Sequence, residues 1–299
     1  MTTWNCYSKL TFFDAIRNAQ DGDVVLGTGI IDLTGERDII IDKLLTFIGV
    51  KLLHKQRWRV GVADVHWLLR VVKGLKLDRC SIQGSPYKLV GPWEEYGLQT
   101  HINATDGCQY LTISKCQLSK ATYAAVFSQD CLITTINNGT VIREMQGDAF
   151  AYAHWLMGDG NAFDRVLWMD DVYVDRVRHV SDAHYNTGHR IITNCTFSNY
   201  LKAAIGQHTG KDGQDMPGIG GGSLRVTGNK FLDRENFAFS LAVPQDSHCI
   251  TIYDNLITRE FGKAGELEVM DYNDIPGKRK LKDNEHHECW NVTDNDYQP

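Results

Sequence analysis

The sequence predicts an all-β fold, a right-handed parallel β-helix with a short N-terminal capping helix, and three observations carry that prediction. The first is a template of apolar, β-prone residues flanking a small or polar corner residue, best seen around Ile192, Cys195 and Phe197. The template returns around Leu75, Leu77, Cys80 and Ile82; Leu111, Ile113, Cys116 and Leu118; Val166, Trp168, Asp171 and Tyr173; Leu224, Val226, Asn229 and Phe231; Ile250, Ile252, Asn255 and Ile257; and Trp290, Val292, Asn295 and Tyr297, with a looser copy at Ile136, Gly139 and Val141. The second is spacing: successive corner residues from Cys80 to Asn295 lie 36, 23, 32, 24, 34, 26 and 40 residues apart. A unit of that size cannot bury its own apolar face, so stacked coils must share one core. The third is chemistry at the corner, where Cys alternates with Asn. A tight bend needs a small residue or one that tolerates left-handed φ; Asn side chains can bond along the stack, and Cys serves as a small buried hydrophobe.

Taken in order, Thr11 to Ala19 places Phe12, Ile16 and Ala19 on one helical face, with Thr11 as N-cap. Such a helix would cover the open end of the solenoid, and Gln20 to Asp23 would end it. Residues 1–22 thus read as a cap and 23–299 as coils of a single domain. Val24–Leu26, Ile30–Leu33, Ile39–Ile41 and Leu45–Gly49 follow as short strands. Residues 50–74 mix Lys, Arg and His with Trp, a composition that outward charges on β-strands explain without a polyanion ligand. Ser85 to Asn103, with Pro86, Gly91 and Pro92, reads as an excursion from the coils. Second strands are expected at Tyr123–Phe127, Ala153–Leu156, Lys202–Ile205 and Ala238–Leu241, each followed by a loop of variable length. In a solenoid, long loops gathered on one side line the binding groove.

Composition narrows the function classes. A net charge of −6 and a pI near 6.0 give no general attraction to nucleic acid or an anionic membrane. An anionic ligand would therefore need a local basic cluster or a bound cation. None of the eight cysteines forms a C-x-x-C pair or a zinc spacing, and three sit at corners, which favours buried free thiols. Gly218 to Gly222 lacks the Lys-Ser/Thr of a phosphate loop, and His286-His287 reads as a solvated turn. Met1 to Leu10 has neither the basic start nor the apolar run of a secretory signal.

Several stretches resemble the pectate and pectin lyase superfamily, most closely polysaccharide lyase family 1. Leu167-Trp168-Met169-Asp170-Asp171 echoes the family's V-W-I-D-H. Ile191 to Phe197 running into Lys202-Ala203-Ala204-Ile205-Gly206 resembles its strand, corner and lysine segment, and Val226 to Phe231 and Ile252 to Asn255 fit two later motifs. The resemblance implies β-elimination on an acidic polysaccharide, in which an arginine removes the proton α to a uronate carboxyl while calcium, a lysine and another arginine stabilise the enolate. Carried over residue by residue, Lys202 falls on the family lysine, and Asp182 and Asp148 fall on calcium aspartates. The family's arginine run falls on Asn236 to Ala242, which contains no arginine; Arg234 lies nearby, and Arg178 takes the place of another calcium aspartate. The expected catalytic set is therefore Lys202, Arg234 and Arg178, with Arg176, His184, His189 and His208 binding substrate and Asp148 and Asp182 holding calcium. Neighbouring coils would bring these segments together in a groove more basic than the whole chain. A monomer acting extracellularly or on a virion is the expectation, with no nucleic-acid or membrane partner. Two other readings of the same fold stay open: a tailspike-like depolymerase or adhesin that binds glycan without lyase chemistry, and a glycoside hydrolase using Asp170 and Asp171. Those two adjacent residues would point to opposite faces of a regular strand.

Overall fold

The computed structural model describes residues 1–54, 65–84, 98–105, 107–128, 131–145, 150–153, 166–184, 188–201, 203–208, 223–233, 238–243, 250–258, 266–271, 278–282, 286–287, 290–293 and 295–298. They form a parallel β-helix. Each coil contributes a strand before the corner (such as Tyr110–Ser114), a strand after it (Gln117–Ala121) and a closing strand (Val126–Ser128). The first two sets merge into a 20-stranded sheet, because strands Ile133–Met145 and Val166–Val177 run through the corner without a break. The closing strands make a separate 10-stranded sheet.

Register explains the corner. Val50, Cys80, Cys116, Thr140, Val172, Cys195, Asn229, Asn255 and Asn295 stand in one column along the solenoid. The residue before each inward corner residue from Val50 to Asn255, including Arg79 (φ 53°), Lys115 (55°), Asn194 (53°), Gly228 (68°) and Asp254 (54°), adopts a left-handed conformation that turns the chain. The Asn half of the column is a hydrogen-bonded ladder: the Cys195 amide donates to Asn229 Oδ1 at 2.9 Å, the Asn229 amide to Asn255 Oδ1 at 3.0 Å, and the Asn255 amide to Asn295 Oδ1 at 3.1 Å. Across the change to the other half, the Cys116 amide donates to Thr140 Oγ1 at 3.3 Å.

Two coils correct the template by one residue. Thr140 and Val172, not Gly139 and Asp171, occupy the column; Gly139 and Asp171 are the left-handed residues before them. In the second of these coils the inward residues are Leu167, Met169, Val172 and Val174, while Trp168 and Tyr173 are 49% and 40% exposed. A slip of one exchanges the two faces of a strand. Outward aromatic residues here mimic the apolar pattern of the core.

The N-terminal cap is larger than expected. Strand Thr3–Cys6 pairs in parallel with Val24–Gly27, so the first coil begins before the helix. The helix spans Lys9–Asn18, and its N-cap is Ser8 rather than Thr11. Ser8 Oγ accepts the Thr11 amide at 3.3 Å while Thr11 Oγ1 accepts the Ser8 amide at 3.0 Å, a reciprocal capping box that places Thr11 inside the first turn. Phe12, Ala15 and Ala19 are buried, and the Phe12 ring meets Phe47 edge-on at 5.9 Å, closing the core.

The excursion expected up to Asn103 ends earlier, because Leu98–Ala104 pairs with Val65–Val71 in the closing sheet. The closing strands also start later or earlier than expected: Val126–Ser128, Phe150–Ala153, Ile205–His208 and Phe239–Val243. Buried Ala124-Ala125 and Ala203-Ala204 fill the preceding corner instead. At the far end, Glu266–Asp271 and Lys278–Lys282 pair antiparallel, and so do His286–His287 and Trp290–Thr293; His286-His287 thus lies in a strand rather than a turn. No helix among the described residues is long and apolar enough to cross a membrane.

Candidate functional site on the closing sheet

The closing sheet alternates strictly enough to assign its faces. Ile39, Leu69, Ile102, Val126, Ser181, Ile205 and Phe239 are buried toward the core, so the next register column (Asn103, Phe127, Ala151, Asp182, Gly206) occupies the outer face. Position 184 has the same parity as 182, and His184 and His208 are register partners on neighbouring strands. Toward the N-terminal coils, Phe127 stacks on Trp67 at 6.2 Å and 16° and meets Tyr123 at 6.0 Å. The outer face therefore combines a flat aromatic surface, a carboxylate and two histidine positions along successive strands.

Asp182 is not a solvated acid. It is buried, and its Oδ2 lies 3.5 Å from Nδ1 of His179, itself buried at the corner that leads into the strand. Beneath the same strand sits Arg190, 2% exposed, in an inward column that otherwise holds Leu111, Thr134, Leu167, Leu224 and Ile250. Its Nη1 donates to Ser181 Oγ at 3.2 Å and to the Gly206 carbonyl at 2.9 Å. One core guanidinium thus joins two closing strands directly under Asp182. Neither His179 nor Arg190 was singled out in the sequence. The His-x-x-Asp spacing of 179 and 182 and a lone arginine in a column of Leu, Ile and Thr were the signals available.

The expected site residues divide among three places. Asp182, His184 and His208 share the closing sheet. Arg176 and Arg178 lie where the strand after the corner hands over to it. Arg176 (φ 54°) stands in a second column of left-handed residues with Lys120, Glu144 and Asn199, a bend that turns each coil toward the closing sheet. Its guanidinium bonds Glu144 at 3.0 Å and Asp175 at 2.9 Å. Burial opposes the Asp175 charge, but hydrogen bonds from Asn199, Ser198 and Arg176 outweigh it and hold this carboxyl below the usual range. Arg176 is therefore engaged in a polar cluster with two acids. Arg178 is half buried, level with Leu201, whose amide donates to the Val177 carbonyl at 2.9 Å. His189 begins a strand of the other sheet, with Nδ1 against Ser223 Oγ. Lys202, Arg234 and Asp148 lie outside the described residues.

Calcium needs about six to eight oxygen ligands. Among the described residues no three His, Cys, Asp or Glu side chains gather as a metal site, and Asp182 faces an imidazole nitrogen. The described donors do not make a calcium cage, and no chemical step is assigned to the metal.

No family model and no curated protein matches this chain. Solved structures do. The chain is similar to AlyGC, an alginate lyase of the PL6 family, with a TM-score of 0.63 and 12% identity over 99% of this chain, which spans 40% of the length of that protein. It is also similar to an alginate lyase from Paenibacillus sp. str. FPU-7, with a TM-score of 0.54 and 12% identity over 100% of this chain and 98% of that one. At this identity the likeness establishes the parallel β-helix along the whole chain, and it does not single out polysaccharide lyase family 1.

Proposed function

We propose that this chain is a polysaccharide lyase that cleaves a uronic-acid-containing glycan by β-elimination. The observation that carries the reading is the likeness of the entire chain, cap helix to last coil, to two alginate lyases. In this reading the reaction takes place on the outer face of the closing sheet. β-Elimination removes the proton at C5, α to the carboxyl, and expels the oxygen at C4, leaving an unsaturated sugar. The carboxylate must be neutralised as the carbanion forms, and a group of matched basicity must take the proton. In this reading Lys202, Arg178 and Arg234 supply fixed positive charge, His184 and His208 supply the proton-transfer groups, and the Trp67 and Phe127 rings bear on the apolar face of a sugar.

A glycan-binding β-helix without lyase activity is the second reading. Its specific support is the lack of arginine in the Asn236 to Ala242 segment, where the family resemblance would put the catalytic arginines. One assay separates the two. The chain is incubated with mannuronate-rich alginate, guluronate-rich alginate and polygalacturonate, and the ultraviolet absorbance of the unsaturated uronate is followed. A rise on any of them establishes the lyase. Retention on immobilised glycan with no rise establishes the binding reading, and neither response on the whole panel rejects both.

A further inference from the structure

Cys108 and Cys131 belong to neither the corner column nor the candidate site, and their arrangement is specific. Cys108 follows Gly107 (φ 86°) in a turn closed by its own amide on the Thr105 carbonyl at 3.0 Å. One coil later, Cys131 precedes Leu132, whose amide donates to the Cys108 carbonyl at 2.9 Å. Tyr110 pairs with Ile133 two residues on, so the two cysteines face each other in register on stacked coils. Stacked strands are about 4.8 Å apart, within the Cα separation of roughly 4.4–6.8 Å that a disulfide spans. The sulfurs are already 3.2 Å apart. Both residues are buried, and in this contact the Cys131 thiol is held below its ordinary value while that of Cys108 is pushed up.

The corner thiols Cys80 and Cys116 also meet through their side chains, but both are further engaged. Cys80 Sγ donates to the carbonyls of Phe47 and Asp78, both at 3.4 Å, and Cys116 Sγ accepts the Cys80 amide at 3.4 Å and donates to the Ser114 carbonyl at 3.1 Å. Those sulfurs work as hydrogen-bonding members of the corner stack, as Asn does further along. The Cys108 and Cys131 sulfurs reach the Tyr110 carbonyl at 3.5 Å and the Ile133 carbonyl at 3.4 Å respectively and meet each other at 3.2 Å, and Cys131 also interacts with the Thr134 side chain and the Leu111 backbone.

From this geometry we infer that Cys108 and Cys131 are a covalent modification site, an inter-coil disulfide made with a small-molecule disulfide such as oxidised glutathione. One cysteine thiolate attacks the glutathione disulfide and expels a glutathione thiolate; the second cysteine then attacks the mixed disulfide and expels the other. Two protein thiols lose two protons and two electrons, one S–S bond forms, and one glutathione S–S bond is reduced to two thiols. Burial sets the timing. The pair reacts during folding or when the coil opens, and once linked it is shielded from reductant by the closed coil.

The test uses the full chain, refolded from denaturant with oxidised and reduced glutathione, then alkylated in denaturant and mapped by mass spectrometry without reduction. The expected result is that the free forms of Cys108 and Cys131 are lost to one linked pair of peptides, lighter by two hydrogens, while Cys80, Cys116 and Cys195 carry the alkyl group. A folded, linked sample should keep the bond in reductant that removes it at once in denaturant. Full alkylation of Cys108 and Cys131, or linkage of either to another cysteine, overturns the inference. Because the map is made on the unsubstituted chain, a folding defect in a Cys131→Ser variant cannot obscure the outcome.

Discussion

Acid should destabilise this protein well above the range in which its carboxylates titrate, and the cause is one buried contact. His54 Nε2 lies 2.8 Å from His101 Nδ1, and His101 Nε2 lies 3.0 Å from the Ser119 carbonyl. A carbonyl only accepts, so His101 Nε2 carries a proton and donates it; His101 Nδ1 then accepts from His54 Nε2. Accepting at Nδ1 keeps the His101 ring neutral, and burial keeps His54 neutral. Burial pushes His54 down to about 4 from 6.5, and burial together with the neighbouring His54 holds His101 well below its ordinary value. With folded values depressed, the unfolded chain takes up protons first as pH falls. Stability is full above 6.5, declines as pH drops through that unfolded value, and stops declining near the folded value. For His54 alone the loss between pH 6.5 and 4 is about 3 kcal/mol, at roughly 1.4 kcal/mol per pH unit, and His101 adds to it in the same direction. Urea unfolding at pH 7.5, 6, 5 and 4.5, compared with a His54→Leu, His101→Leu double variant, isolates the pair from the other nine histidines among the 11 in the chain. The wild type should lose stability in this window at a clearly steeper slope than the variant. Parallel slopes would refute the reasoning.

Three further outcomes are expected. On whichever glycan the chain cleaves, Lys202→Ala should lower kcat by about a hundredfold or more while KM changes far less, because the charge it meets appears only in the transition state; an equal kcat with raised KM would make Lys202 a binding residue. Asn255→Ala should cost about 3 kcal/mol in chemical denaturation, since it strands the Asn229 amide and the Val226 and Tyr253 carbonyls, and a loss below about 0.5 kcal/mol would show that the ladder is passive. Gly84→Ala should cost about 3 kcal/mol or prevent folding, because its Cβ would stand 2.0 Å from the Lys120 backbone oxygen and 3.2 Å from His101 Cε1; a neutral effect would place this close approach in error.

The parts of the fold that were legible in the sequence are those fixed by a local rule repeated in every coil. Cys80, Cys116, Cys195, Asn229 and Asn255 could be found because each follows a left-handed residue and stands between inward apolar side chains. The same rule failed at Trp168 and Tyr173, where outward aromatics mimic core and only the register of neighbouring strands shows which face is which. Ser8 was missed as the N-cap because Thr11 has the same chemistry and differs only in which backbone amide it serves. The His54 and His101 pair, 47 residues apart, has no local signature at all; it exists only because two coils of unequal length meet there. At the candidate site the closing-sheet positions of Asp182, His184 and His208 could be expected from coil spacing. The engagement of Arg176 by Glu144 could not, since the bend that brings them together is visible only as backbone φ.

A solenoid core makes departures from its own pattern informative. Each inward column repeats because a side chain must fit the coil above and the coil below, so a column of Leu and Ile gives way only where something else is gained. Arg190 is such a departure. Burying a guanidinium is costly unless its donors are used, and this one is directed at Ser181 Oγ and the Gly206 carbonyl rather than at solvent. Those two groups belong to adjacent closing strands, one carrying Asp182 and His184 and the other His208. On the outer side of the sheet, His179 holds the Asp182 carboxylate. The outer face is thus braced from within and from the corner at the same pair of strands. Rigid placement of polar groups is what a site must have to act on charge that exists only in a transition state. Arg190 can act on that site only through the spacing of the strands it joins, and this is why the chemistry of the outer face and the packing of the core cannot be varied independently there.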